Sequence, residues 1–232
     1  RSLHPDSVSI HDTTPKEVAI ATTVQAMESG SRLILGGWLP DDSIGGRTGK
    51  PDLLVRVDGG YLSADVKHHK VIKAATKTAA MLSPIAEPAL RRTVPGWTTA
   101  RSHRPDDGMQ LVHYTRMLQA SGHHPGDHLL LGAIVGSDEI SLAPHTLSDL
   151  VFAWHDLSQP LYYTFSRSTG KAKRSLLERY DHEHGFRVKV ARRALEIVGS
   201  PDDGEPLVTP VGQAECASCP YEVPCAAAMG DD

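Results

Sequence analysis

The fold is decided by residues 51–67, PDLLVRVDGGYLSADVK. Two apolar runs, 53–57 and 61–66, are rich in Leu and Val and are separated by Asp58-Gly59-Gly60. An Asp-Gly turn between two such runs is a strong signal for a β-hairpin. The stretch therefore predicts two antiparallel strands whose outer ends meet at one end of a sheet.

Three charged residues lie at those outer ends. Asp52 starts the first strand and Asp65 lies near the end of the second, so the hairpin is expected to set their carboxylates side by side. Lys67 follows Asp65 by two residues and therefore projects from the same face. Adjacent carboxylates suit Mg²⁺ or Mn²⁺, and such a lysine can orient or deprotonate a water or stabilise charge on a phosphate. An edge hairpin with surface charges shows the same spacing, which leaves both interpretations open.

Outward from the hairpin, the pattern alternates between helices and strands. Upstream, it predicts a helix over 15–29, a strand over 32–36 and a turn-rich loop over 41–50. Downstream, it predicts a helix and a mobile basic loop over 68–106, a helix over 107–120, a strand over 129–135, a short helix over 147–154, a strand over 161–165 and a long basic helix over 171–198, interrupted near Gly185. This order favours an α/β fold with one mixed sheet.

Composition and charge exclude several classes of protein. The chain has 232 residues, of which 40% are hydrophobic and 22% charged, which is enough for a buried core. No apolar run approaches the roughly 18 residues of a membrane span, and neither collagen nor coiled-coil periodicity is present. Two zones, 66–104 and 170–193, each hold eight Lys or Arg with few acids. Each zone is either a solvated face or the binding surface for a polyanion.

All three cysteines lie near the end of the chain, as Cys216-x-x-Cys219 followed by Cys225. This spacing is typical of ligands for zinc or for an iron–sulfur cluster. An odd, crowded set of thiols cannot form a disulfide framework, so it predicts a reducing, cytoplasmic compartment.

Three motifs in order resemble the RecB-like branch of the PD-(D/E)XK nuclease superfamily. They are residues 49–52 (GKPD), residues 65–67 (DVK), and Gln110 with Tyr114 one helical turn later. The resemblance covers residues 15–230 and implies a restriction-endonuclease-like core, a mixed central sheet flanked by helices. It also implies one nuclease domain over 1–200, with a linker and a cysteine tail over 201–232 packed on it.

The resemblance implies a role for each motif residue. Asp52, Asp65 and the backbone carbonyl of Val66 would bind Mg²⁺ or Mn²⁺, and Lys67 would orient the attacking water. Gln110 and Tyr114 would position substrate or the lysine. The basic zones are expected to contact the DNA backbone, at Lys70, Lys73, Arg91, Arg92, Lys173, Arg174, Arg192 and Arg193.

The cysteine spacing resembles that of AddB-type and CRISPR-associated exonucleases, in which a [4Fe–4S] cluster staples the two ends of the domain. This resemblance favours the cluster, held by Cys216, Cys219 and Cys225, with zinc as the alternative. The family has a fourth cysteine and a metal-binding histidine upstream. This chain has no fourth cysteine, and His4 and His11 match the histidine by position only. We expect the natural protein to extend upstream and to hold both groups.

The resemblance thus predicts a metal-dependent deoxyribonuclease that hydrolyses phosphodiesters with metal-activated water. The expected substrate is single-stranded DNA or a DNA end, in repair or recombination, with a partner or fused helicase and no membrane. The alternative is a catalytically silent nucleic-acid-binding module of a repair complex.

Overall fold

A computed structural model describes residues 6–99, 105–140, 150–166, 170–198 and 203. Eight strands form a mixed sheet in the order β1-β2-β3-β4-β7-β8-β5-β6, with three helices beside it, so the predicted α/β class is confirmed. The elements are β1 (Ser7–Ser9), α1 (Lys16–Glu28), β2 (Leu33–Leu35), β3 (Leu53–Val57), β4 (Gly60–Val66), β5 (Ile72–Pro84), β6 (Arg92–Thr99), α2 (Pro105–Ala120), a 3-10 turn (Asp127–Leu129), β7 (Leu131–Glu139), β8 (Leu150–Asp156), β9 (Tyr162–Ser166), β10 (Gly170–Arg174) and α3 (Leu176–Glu196).

The predicted hairpin is confirmed and sits at the centre of the sheet. β3 and β4 pair antiparallel, with Leu53 opposite Ala64 and Val57 opposite Gly60. Gly59 has φ of 81°, and a Cβ at Gly60 would lie 2.4 Å from the His123 carbonyl oxygen, so both turn glycines are needed there. On its other side β4 pairs parallel with β7, which places the end of β4 in the interior of the sheet.

Helices α1 and α2 pack on one face of this central region. Their buried side chains form a cluster with residues of β2, β3 and β4, including Ile34, Leu54 and Tyr61. Tyr61 donates its hydroxyl to the Ser31 carbonyl at 2.8 Å, which ties the hairpin to the chain after α1. The predicted helices over 15–29 and 107–120 are therefore confirmed, and α2 lies beside the end of β4.

The prediction for residues 68–106 is wrong, because the described part of this stretch is mainly two strands. β5 and β6 pair antiparallel at one edge of the sheet, with a shift in register between Ala74 and Ala79. The outer part of β5 is exposed on both faces, so it lacks the apolar alternation by which a strand is recognised. Its Ala and Lys content favours a helix, and the pairing with β8 and β6 overrides that preference.

Two further predictions need correction. Within residues 147–154, the described part belongs to strand β8, which lies between β7 and β5 and is buried on both faces, so its continuous apolar run resembles a buried helix. The long helix predicted from residue 171 begins instead at Leu176 and continues through Gly185 without interruption. Gly170–Arg174 is strand β10, paired with β9.

The start of α3 is set by a capping box. The Glu178 carboxylate accepts from the Ser175 backbone N–H at 2.7 Å, and the Ser175 hydroxyl accepts from the Glu178 backbone N–H at 3.1 Å. By its contacts the chain divides into two units, residues 1–182 and 183–232, and the division falls within α3. None of the helices in the described ranges has the length and apolar character needed to cross a membrane.

Candidate active site

Asp52 and Asp65 meet at the end of the β3–β4 hairpin, as the register requires. The Val66 backbone N–H donates to Oδ2 of Asp52 at 2.8 Å, which holds that carboxylate across the two strands. Asp52 is exposed, whereas Asp65 is 2% exposed. Oδ2 of Asp65 is buried and accepts no hydrogen bond of regular geometry, although the Lys67 ammonium forms an ion pair with it. One carboxylate thus faces solvent and the other lies beneath it.

Lys67 is held from three directions. Besides its ion pair with Asp65, its ammonium donates to Oε1 of Gln110 at 2.9 Å and lies 3.7 Å from Oδ1 of Asp107. Its backbone N–H donates to the Val135 carbonyl at 2.9 Å, which extends the pairing of β4 with β7 by one residue. The side chain is therefore fixed between the hairpin and α2.

Gln110 and Tyr114 continue this network along one face of α2. Nε2 of Gln110 donates to the Tyr114 hydroxyl at 2.9 Å, and that hydroxyl donates to the Lys50 carbonyl at 3.1 Å. A Cβ at Gly49 would lie only 2.8 Å from the Tyr114 ring, so the glycine permits the loop to pack this closely. The three motifs thus form one connected site, from the loop before β3 to the centre of α2.

The surroundings raise the pKa of both Asp65 and Lys67, but for different reasons. Burial, reinforced by the neighbouring Asp52 carboxyl, raises the pKa of Asp65 to about 6, and Lys67 only partly opposes this shift. For Lys67, burial favours the neutral amine, but the hydrogen bond and charge of Asp65 outweigh burial and raise the pKa of the ammonium. Lys67 is therefore a cation at neutral pH and is suited to stabilising negative charge rather than to accepting a proton.

Neither Asp107 nor His69 was assigned to the site from the sequence. Oδ2 of Asp107 lies 3.1 Å from Nε2 of His69, while its Oδ1 faces Lys67. Asp107 precedes Gln110 by three residues, which is nearly one helical turn, so its place on the same face of α2 was a signal available in the sequence. His68, the neighbour of His69, is exposed.

The donor set of the site suits a hard divalent cation. No group of three or more His, Cys, Asp or Glu side chains able to hold a metal is found within the described residues. Two adjacent carboxylates, one with a buried oxygen lacking a regular hydrogen bond, nevertheless fit Mg²⁺ or Mn²⁺, because such ions take one or two carboxylates and complete their shell with water and substrate phosphates. The role of the Val66 carbonyl stays a prediction.

The other predicted residues are distributed around the molecule. Lys70, Lys73 and Lys173 are exposed, and Lys173 lies over the Tyr163 ring. Arg92 and Arg192 are also exposed, and Arg174 is half-buried. Two of the arginines are engaged within the protein: Arg91 packs over the Trp154 ring with a buried guanidinium nitrogen, and Arg193 pairs with Glu196. Arg91 is thus poorly placed to contact DNA.

Of the remaining predicted metal ligands, the described residues include only His11. His11 is exposed, and its ring accepts from or donates to the Thr13 hydroxyl at 3.1 Å. His4 and the cysteines Cys216, Cys219 and Cys225 lie outside the described residues.

Comparison of the chain with family models, with curated proteins and with solved structures finds no match.

Proposed function

We propose that this protein is a metal-dependent nuclease that hydrolyses phosphodiester bonds in DNA. The observation that carries the proposal is the connected set of Asp52, Asp65, Lys67, Gln110 and Tyr114 at the end of the central hairpin. The same residues carry the resemblance to the RecB-like PD-(D/E)XK nucleases, and the mixed sheet beside three helices is compatible with that fold.

Each residue has a distinct part in this proposal. Asp52 and Asp65 would hold Mg²⁺ or Mn²⁺, which when bound supplies Lewis acidity and lowers the pKa of water. Lys67, kept as an ammonium by Asp65 and aimed by Gln110, would stabilise negative charge developing on the phosphate. Tyr114 would keep Gln110 in place, since burial raises the pKa of its phenol and leaves it a hydrogen-bond donor to the Lys50 carbonyl.

The substrate we propose is single-stranded DNA or a DNA end. Exposed lysines follow the site along the chain, at Lys70, Lys73 and Lys77, and would contact the phosphate backbone without reading sequence. Cys216, Cys219 and Cys225 would hold a [4Fe–4S] cluster, with zinc as the alternative, in a structural role.

Digestion of end-labelled single-stranded DNA with and without Mn²⁺ tests the proposal. We expect Asp52→Ala, Asp65→Ala and Lys67→Ala each to reduce hydrolysis at least a hundredfold while DNA affinity changes less than about threefold, because affinity comes from the basic residues. Digestion products should show whether cleavage starts at an end.

Asp58→Ala is the matched control, because Asp58 is an exposed carboxylate at the opposite end of the same hairpin. It should retain wild-type hydrolysis. If Asp65→Ala hydrolysed DNA at the wild-type rate, the site would be wrongly assigned. A folded wild-type protein that binds DNA but hydrolyses none with either Mg²⁺ or Mn²⁺ would favour a silent binding module instead.

A further inference from the structure

A cavity of about 490 Å³ lies beside the proposed catalytic residues. Its walls come from residues 78–81 of β5, the end of β6, the start of α2, the end of β8 and the segment that leads into β9. Its volume is within the range of about 300–1,000 Å³ typical of sites for small organic ligands. The cavity is thus formed by elements that are far apart in the sequence.

Two residues belong both to the cavity and to the network around Lys67. His69 and Asp107 line the cavity, they contact each other at 3.1 Å, and Asp107 lies 3.7 Å from the Lys67 ammonium. A group bound in the cavity would therefore be separated from the carboxylate site by a single layer of side chains. A ligand continuous with a scissile phosphate could occupy both places.

The lining combines apolar surface with hydrogen-bonding groups. Leu161, Tyr162 and Leu176 supply apolar and aromatic surface, and Asp156 and Gln159 supply polar atoms. His155 also lines the cavity and adds a polar ring to its wall. A flat heteroaromatic ring with donors and acceptors at its edge matches this combination.

We propose that the cavity is a subsite for one unstacked nucleotide base next to the scissile phosphate. This inference rests on the proposed nuclease function and adds to it a subsite for a single base. A nucleotide in the cavity would be held by its base, while the adjacent phosphate lies at Asp52, Asp65 and Lys67. Stacking of a base on an aromatic side chain strengthens binding of single strands about tenfold per base, so one position of the substrate should dominate affinity.

The experiment is a scan of a single-stranded oligonucleotide in which one nucleotide at a time is abasic. Single-turnover hydrolysis with Mn²⁺ gives kcat/KM for each oligonucleotide. We expect a loss of about tenfold or more when the abasic nucleotide is at one position adjacent to the cleaved bond, and less than about threefold elsewhere. A position at the terminus would identify an end-acting enzyme, and an interior position would identify a base extruded from within the strand; both fit the subsite.

A cavity-filling variant and a matched control connect that position to the cavity. Thr78 and Thr76 are exposed threonines on β5, and only Thr78 lines the cavity. Thr78→Phe should abolish the difference between the intact and the abasic substrate at that position, whereas Thr76→Phe should preserve it. If Thr78→Phe fails to fold in a thermal unfolding assay, Ala80→Leu, at a buried position of the same wall, replaces it.

The outcomes separate this inference from the function on which it rests. A wild-type enzyme that hydrolyses every abasic oligonucleotide equally would overturn the subsite and leave the nuclease standing. The same conclusion follows if folded Thr78→Phe and Ala80→Leu proteins keep the full positional effect. Wild-type protein that hydrolyses no DNA would overturn the nuclease, and the subsite with it.

Discussion

At the scale of single residues, Asp65 is the most constrained group in the site. It is buried, shares its position with a second carboxyl and pairs with a lysine that is itself held by α2. Removing a carboxylate from water is unfavourable unless charge and hydrogen bonds replace the water, and here Lys67 replaces only part of it. Ionised Asp65 is therefore buried at a free-energy cost, which a bound cation would offset.

This cost predicts a pH dependence of stability for Asp65. Its pKa in the folded protein, about 6, is above the ordinary 3.8, so the folded state binds this proton more tightly than the unfolded state. The stabilisation that this tighter proton binding adds to the free energy of unfolding is complete below pH 3.8 and is lost as pH rises through about 6. In EDTA, we expect Asp65→Asn to be more stable than wild type above pH 6, by on the order of 2 kcal/mol, and equal to it near pH 4.

Urea unfolding of both proteins at pH 4 to 8 measures this difference. The comparison must be made at each pH, because burial lowers the pKa of His155 to about 4 and destabilises both proteins as pH falls. Asp58→Asn, at the exposed hairpin turn, serves as the control. Since a cation binds only the ionised carboxylate, affinity for Mn²⁺ should rise as pH increases through about 6. A pH-independent difference between Asp65→Asn and wild type would contradict the assigned environment.

At the scale of elements, the site depends on how α2 is anchored to the loop before β3. His113 lies between this loop and α3: its Nε2 is 3.0 Å from the Thr48 carbonyl, and its Nδ1 is 2.7 Å from the Tyr180 hydroxyl. The Tyr180 hydroxyl also accepts from Arg47 at 3.2 Å. The loop that presents Asp52 is thus held by polar contacts to two helices, in addition to the packing of Gly49 on Tyr114.

The basic residues of α3 carry a prediction about nucleic-acid binding. If they contact phosphates, Arg192→Ala combined with Arg193→Ala should weaken binding of single-stranded DNA equally across sequences and reduce the slope of log K against log salt by about 1.4. A smaller reduction, about 0.7, is expected if Arg193 remains paired with Glu196 in the complex. Fluorescence anisotropy at several salt concentrations measures both quantities.

Arg32→Ala with Arg56→Ala is the control of equal charge, because neither arginine belongs to the two basic zones. That variant should keep the wild-type slope. Unchanged affinity and salt dependence in the Arg192 and Arg193 variant would identify this part of α3 as solvated surface.

At the scale of the whole molecule, the cysteine tail predicts a bound metal cluster that staples the two ends of the domain together. Anaerobically purified protein should be brown and contain about four irons, held by Cys216, Cys219 and Cys225. Metal bound only by the folded chain stabilises it, so Cys219→Ser should lower the unfolding temperature and solubility before it changes the rate of DNA hydrolysis. Metal analysis, absorbance and thermal unfolding test these points together.

The results of that test are distinguishable. Colourless protein that contains one zinc would show that the cysteines hold zinc instead of the cluster, and the staple would stand. A triple Cys→Ser variant with wild-type stability and hydrolysis would rule out both. Ser137→Ala, a small change at an exposed position, is the control for effects of preparation that every variant shares.

Sequence alone determined the parts of this protein that depend on residues close together in the chain. An Asp-Gly-Gly turn between two apolar runs specifies a hairpin, and the hairpin places Asp52 beside Asp65 whatever surrounds it. Helical spacing likewise places Gln110 and Tyr114 on one face of α2. Turn geometry and helical periodicity act over a few residues, so a sequence pattern contains them in full.

Only the tertiary structure decided which elements surround that hairpin. β5 and β8 are strands because they pair with each other and with neighbours distant in the chain, and such pairing overrides their local preferences. The same packing brings Asp107 and His69 to Lys67 and sets their cavity beside it. Burial also shifts the pKa of Asp65, because desolvation depends on every element packed around a carboxylate and not on its neighbours in sequence.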